Sequence, residues 1–201
     1  MTQFLVIAAS YLIGSIPFSY LFSRLKGVDP RKAGTGNVGA SNVLTVAGKR
    51  AGALALAGDI AKGVFSIVLA RHFGLSHWGI AFCGLAVVLG HDFSIFLRFK
   101  GGKGAAPTGG VLFGLDPIFG FIILLLWIFC MLVIGCFIPG TALTFVLIPV
   151  VMWMGSWRAE YIVFGIANAA LGLYVHRRDL ERFLAGKELT IQESIAKYLK
   201  K

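Results

Sequence analysis

Ile118-Phe119-Gly120-Phe121-Ile122-Ile123-Leu124-Leu125-Leu126-Trp127-Ile128-Phe129-Cys130-Met131-Leu132-Val133-Ile134-Gly135-Cys136 runs without one charged side chain. As a helix it would rise about 28 Å at ~1.5 Å per residue, close to the ~30 Å hydrocarbon core of a bilayer. Six further apolar segments surround it, at 4–23, 51–70, 77–97, 105–116, 139–156 and 160–175. Together they predict one all-α domain, residues 1–201: a polytopic seven-helix transmembrane bundle over about 1–189, with a tail at 190–201 forming a short amphipathic surface helix. The segment 105–116 is too short to cross untilted. Its Gly110 and Gly114 sit one helical turn apart, a spacing that favours close helix packing. Asp116-Pro117 reads as a turn.

Composition agrees. Of 201 residues 57% are apolar and 14% charged, where a soluble domain carries about a quarter charged, and mean hydropathy is +0.82. The charge is lopsided, 19 Lys and Arg against 9 Asp and Glu. Nucleic acid is an unsuitable partner, because the basic residues lie between or just beyond apolar segments. Cys83, Cys130 and Cys136 fall inside apolar stretches without paired ligand spacing and read as small core residues, so no metal or cofactor is expected. The first apolar run has no basic residue before it, and reads as a retained span rather than a cleaved signal.

With seven crossings, three polar regions share one side: 24–50, 98–104 and 176–201. They hold 6, 3 and 7 of the 19 Lys and Arg. Basic residues are retained in the cytoplasm, so these regions are expected inside and the N-terminus outside, in the inner membrane. Each region contains a polar motif. The first is Gly34-Thr35-Gly36-Asn37-Val38-Gly39-Ala40-Ser41-Asn42. There glycines let backbone N–H groups converge on an anion, and Thr35, Asn37, Ser41 and Asn42 add polar side chains; a flexible loop entering the next span explains the same residues about as well. The second, Lys100-Gly101-Gly102-Lys103-Gly104, sets glycines around a cation that would neutralise a phosphate. Topology alone accounts for its lysines but not its glycines. The third, His176-Arg177-Arg178-Asp179-Leu180-Glu181-Arg182, places His176, Asp179 and Arg182 on roughly one helix face. Within the spans Asp59 and Lys62 are three apart and expected to pair toward the bundle interior. His91 lies near the same cytoplasmic face.

These blocks, in this order, resemble the bacterial membrane acyl-phosphate:glycerol-3-phosphate acyltransferases. Tyr11-Leu12-Ile13-Gly14-Ser15-Ile16-Pro17 is similar to that family's first helix, and Asp59, Lys62 and Gly63 fall on an Asp-x-x-Lys-Gly pattern. Gly90-His91 leads to Phe99-Lys100-Gly101-Gly102-Lys103-Gly104, and Gly186-Lys187-Glu188 follows the third block. The resemblance covers nearly the whole chain. It implies acyl transfer from acyl-phosphate to the 1-hydroxyl of glycerol 3-phosphate, beside membrane lipids, by proximity and charge stabilisation without a protein nucleophile. Lys103 and His176 are then the expected catalytic residues. Thr35, Gly36, Asn37, Gly39, Ser41, Asn42, Gly101, Gly102, Gly104 and Asp179 would bind substrate, and Asp59, Lys62, His91 and Arg177 would support them. Oligomeric state has no sequence signal.

Departures from the family pattern fall at Thr45 (commonly Arg), Pro107 (Thr), Gly140 (Ser nearby) and Asp179 (Asn). The first removes a cation and the last adds an anion, and both are expected to weaken phosphate binding. The competing class is a catalytically degenerate scaffold, or a lipid-binding or transport protein. A transporter would show paired internal repeats, whereas the three motifs are unlike one another. Cysteines placed at Lys103 and Arg177, in a background lacking the three native ones, are expected to react with an impermeant thiol reagent in inverted vesicles and not in intact cells. Labelling from outside alone would reverse the orientation.

Overall fold

The computed structural model describes residues 1–188 together with Thr190, Ile191 and Glu193; apart from those three, the expected surface helix of the tail lies outside the described residues. Every regular element among them is helical. The chain forms two compact units, Met1–Pro117 and Ile118–Lys201. The first holds α1 (Thr2–Ser15), α2 (Phe18–Arg24), α3 (Ala40–Ala47), α4 (Lys49–His72), α5 (His77–Asp92), a 3-10 turn (Ile95–Leu97) and α6 (Ala105–Leu115). The second is built on α7 (Pro117–Ile134), α8 (Phe137–Met154) and α9 (Ala159–Leu184). Among the described residues five spans are long and apolar enough to cross a membrane, Thr2–Arg24, Lys49–His72, His77–Leu97, Pro117–Ile134 and Phe137–Met154. This is a multi-pass α-helical membrane protein. The expected seventh and fourth crossings rest on α9, which ends in charged residues, and on α6, whose 11 residues rise only about 16 Å.

Two expectations need correction. The first apolar run is two helices, broken at Ile16-Pro17, because Pro17 has no N–H to donate and forces Ile16 to extended ψ, 116°. The first polar motif is only partly loop, since α3 begins at Ala40 and takes in Ser41 and Asn42. The helix face expected for the third motif is present, since α9 runs on past the apolar segment to Leu184.

Glycine sets the packing of the first unit. Helices in lipid associate by close backbone approach rather than by a hydrophobic drive. A Cβ at Gly14 of α1 would overlap the Val87 carbonyl of α5, and one at Gly90 would overlap the Tyr11 carbonyl. Between α4 and α6 the same holds for Gly63 against the Pro107 carbonyl and Gly110 against the Ile60 carbonyl. Pro107 sits in the first turn of α6, where its missing N–H has no intrahelical partner to lose. At the other end of α6, Arg71 donates to the Gly114 and Leu115 carbonyls at 2.8 Å each, a cation on a helix C-terminus. In the second unit Gly172 of α9 lies against Phe145 of α8. Trp127 Nε1–H donates to Thr141 Oγ1 at 2.9 Å, tying α7 to α8.

Gly110→Val is expected to lower the thermal midpoint of the detergent-solubilised protein, at a cost of roughly 1–3 kcal/mol from overpacking. Its neighbour is the control. Nothing lies within 4 Å of a Cβ at Gly109, so Gly109→Ala should hold or raise the midpoint. Equal losses would show that α6 is not pressed on α4 at Gly110.

Candidate functional site

The break in the first span exposes three carbonyls that a helix would have satisfied, at Gly14, Ser15 and Ile16. Inside a membrane such groups must find protein donors. Lys62 Nζ donates to Gly14 O at 2.9 Å and Ile16 O at 3.3 Å, and Ser94 Oγ donates to Ser15 O at 2.5 Å. Lys62 also pairs with Asp59 Oδ1 at 2.9 Å and contacts His91 Nδ1 at 2.8 Å. Ser19 Oγ, from α2, donates to Asp59 Oδ2 at 2.8 Å. Asp59 and Lys62 are only 1% and 3% exposed. The two charges share one face of α4 because they are three residues apart. Four helices thus meet on one buried ion pair.

The second motif lies directly over it. Gly101 N–H donates to Asp92 O and Gly102 N–H to His91 O, both at 3.0 Å. Each glycine is required by what it covers: a Cβ at Gly101 would overlap the His91 carbonyl, and one at Gly102 would overlap His91 Nε2. Arg98 and Phe99, at φ 53° and 61°, turn the chain back into this position, a left-handed conformation that costs non-glycine residues energy. Gly104, at φ 73°, starts α6, and the Asp92 carboxylate lies where its Cβ would come within 3.2 Å. Lys103 is half-buried. Beneath Gly101 and Gly102 is a small polar cleft, lined also by Ser19, Asp59, Lys62 and His91. An apolar groove of about 390 Å³ adjoins it, lined by Ile16, Pro17, Tyr20, Leu21, Phe96 and Leu97. Ile16, Pro17 and Leu97 border both.

The first motif is held in shape by Asn42. Its Nδ2 donates to the carbonyls of Pro30 (2.9 Å), Ala33 (3.1 Å) and Asn37 (2.8 Å), and its Oδ1 accepts from Thr35 N–H at 3.0 Å. Asn42 is 1% exposed; its amide is engaged within the loop. Thr35, Gly36 and Ser41 are exposed, Asn37 and Gly39 half-buried, and Val38 reaches the cleft. Thr45 Oγ1 donates to Asn42 O at 2.7 Å. Ahead of the motif Arg31 grips Asp29 with Nε at 2.9 Å and Nη2 at 2.7 Å. That guanidinium holds the Asp29 carboxyl down to about 2.

The third motif belongs to the second unit. His176 is buried, its Nδ1–H donating to Gly172 O at 2.8 Å, so that Nε2 is the ring's acceptor. The ring packs on Phe145, with centroids 5.9 Å apart. Asp179 forms an ion pair with Arg182, which also reaches Glu188 at 3.2 Å. Its negative charge is therefore balanced by the next turn of its own helix. Arg177 is exposed and stacks over Tyr174, 4.2 Å from the ring centre. Sequence reading missed Ser19 and Ser94, which lie in no motif, and Val38, an apolar residue inside the first motif without a polar group to single it out. Pro17 was the one available signal that carbonyls there would need donors. Among the described residues no three His, Cys, Asp or Glu side chains form a metal-binding group.

A profile of the family described as glycerol-3-phosphate acyltransferase matches residues 4–186. The chain is 38% identical to glycerol-3-phosphate acyltransferase 1 of Deinococcus radiodurans, over 98% of its own length and 99% of the relative's. It is also 38% identical to the glycerol-3-phosphate acyltransferase of Aquifex aeolicus, over 92% and 96%. Among solved structures, it superposes with a TM-score of 0.89 and 33% identity on the glycerol 3-phosphate form of PlsY (YgiH), an integral membrane glycerol 3-phosphate acyltransferase, covering 95% of this chain and 96% of that one. The lysophosphatidic acid form of the same protein gives a TM-score of 0.88.

Lys62→Met would strand the Asp59 carboxylate in a buried site, a change costing about 3–5 kcal/mol. Its thermal midpoint in detergent is expected to fall well below that of the double variant Asp59→Leu/Lys62→Met, where no charge is stranded. A double variant no better than the single would mean that the carbonyl contacts of Lys62, not its pairing with Asp59, dominate.

Proposed function

Because the chain belongs to the glycerol-3-phosphate acyltransferase family, we propose that it transfers a fatty acyl group from acyl-phosphate to the 1-hydroxyl of glycerol 3-phosphate. The products are lysophosphatidic acid and inorganic phosphate. One observation carries the reading: the glycines that flank Lys103 in sequence line a small polar cleft, and an apolar groove shares Ile16, Pro17 and Leu97 with it. That arrangement suits a molecule with a phosphate head and a long apolar tail. The groove also falls within the ~300–1,000 Å³ range of small-ligand sites.

In this reading the hydroxyl oxygen attacks the acyl carbonyl carbon. An ester C–O bond forms, the C–O bond to phosphate breaks, and the hydroxyl proton passes to a phosphate oxygen. Acyl-phosphate is already activated, so the reaction calls for no cofactor and no covalent enzyme intermediate. The protein's share is to hold two anions together against their repulsion and to orient them. Gly101, Gly102 and Gly104 allow close approach to a phosphate, and Lys103 neutralises it. Thr35, Gly36, Asn37, Gly39 and Ser41 offer backbone and side-chain donors for the polar substrate. His176 is the second proposed catalytic residue, the Nδ1–H contact with Gly172 O leaving Nε2 as its acceptor. Asn42 and Arg177 act at one remove, the first by shaping its loop. The reading sets this chemistry at the cytoplasmic face of the inner membrane, supported by the basic residues of the three polar regions; there glycerol 3-phosphate arrives from water and the acyl tail from the bilayer.

The test is release of inorganic phosphate by purified protein given acyl-phosphate and glycerol 3-phosphate, with lysophosphatidic acid formed in equal amount. Lys103→Ala is expected to lower that rate about a hundredfold, the loss of one charge contact worth ~3 kcal/mol, with the thermal midpoint unchanged. Native-like turnover in the variant would reduce Lys103 to a topology signal. No release by the native protein would leave the scaffold reading.

A further inference from the structure

His91 joins the buried ion pair to the glycine loop, and its two ring nitrogens face different partners. Lys62 has only donors, so the 2.8 Å contact from its Nζ makes His91 Nδ1 an acceptor. Asp59 Oδ1 is farther from Nδ1, at 3.4 Å. A neutral imidazole that accepts at Nδ1 carries its proton on Nε2. Lys62, itself fixed by Asp59 and the Gly14 carbonyl, therefore fixes the tautomer of His91. The Nε2 edge is the opposite one, close under Gly102, where a Cβ would overlap it. Among the described residues no acceptor takes its proton. The ring is 7% exposed and lines the cleft with Gly101 and Gly102. A sheltered N–H donor with no protein partner, set beneath two glycines, matches an anionic oxygen.

We propose that His91 is a substrate-contact residue of the cleft, whose Nε2–H, held in place by Lys62, donates to a phosphate oxygen seated at Gly101 and Gly102. The inference deepens the acyl-transfer reading and rests on it. It also gives the buried pair a purpose beyond cohesion, since Asp59 and Lys62 keep a donor pointed into the cleft. Both substrates carry the phosphate chemistry that the donor would recognise, so the experiment has to tell them apart.

Two variants separate the ring's two edges. His91→Asn puts an amide oxygen near the Nδ1 position, keeping an acceptor for Lys62, but ends short of Gly102. His91→Gln carries an amide N–H to the Nε2 position. With acyl-phosphate and glycerol 3-phosphate as the probes, His91→Asn is expected to lose about tenfold or more in kcat/KM. His91→Gln should stay within about threefold of the native value, with thermal midpoints close to native in both. A rise in KM for glycerol 3-phosphate alone puts the contact on its phosphate, and a rise for acyl-phosphate alone puts it on the donor. An unimpaired His91→Asn, or equal losses in the two variants, overturns the inference while leaving acyl transfer standing. A native protein that turns over neither substrate overturns both.

Discussion

Lys62 is where the demands of the membrane and of the candidate site coincide. An ammonium group in an apolar bundle is costly unless every proton is directed, and carbonyls freed by a helix break are costly for the same reason. The fold sets one against the other. Pro17 breaks the first span, the Gly14 and Ile16 carbonyls turn toward α4, and Lys62 takes them together with Asp59 and His91. Removing the break would leave the ammonium short of acceptors, and removing the ammonium would leave the break unsatisfied. The proline and the lysine form one structural unit although 45 positions separate them in sequence.

The glycine loop follows from that unit. Gly101 and Gly102 lie on the last turn of α5 because their N–H groups complete the Asp92 and His91 carbonyls and because neither has a side chain to hold them off. The height of the loop above the cleft is thus set by an imidazole, and the imidazole by Lys62. A longer loop of ordinary residues could not lie this low. The apolar groove begins at the same break, so the polar and apolar halves of the cleft share a wall.

Much of this could be read from residue types. Uncharged runs of near-bilayer length gave the helices, and glycines flanking Lys103 marked a loop built for close approach. The i, i+3 spacing of Asp59 and Lys62 foretold their pairing, because that contact is local. What stayed hidden depends on tertiary neighbours. No pattern says that Lys62 would seek carbonyls on α1, or that Ser19 would complete the Asp59 carboxylate. Asn42 read as a ligand contact because an amide in a glycine-rich stretch suits either task; only its four hydrogen bonds reveal a brace. Asp179 read as an added anion that weakens phosphate binding, although its i, i+3 spacing to Arg182 already set the two on one helix face, where they pair. The kink at Pro17 was visible as a proline but not as a break, since spans tolerate proline when neighbours supply donors.

The local character of the Asp59–Lys62 pair has a consequence for how the chain enters the membrane. Partners three residues apart can meet as soon as α4 has formed, before α5 exists. Either charge alone at the centre of a span opposes insertion by about 2.5–3.5 kcal/mol, whereas a closed pair enters as a neutral unit. The first span, with its waiting carbonyls and Ser19, is by then already in place. His91 is synthesised later and docks on a pair that is already seated. Translation order therefore matches assembly order: the charges travel in together, find the first helix, and receive the imidazole and the glycine loop last.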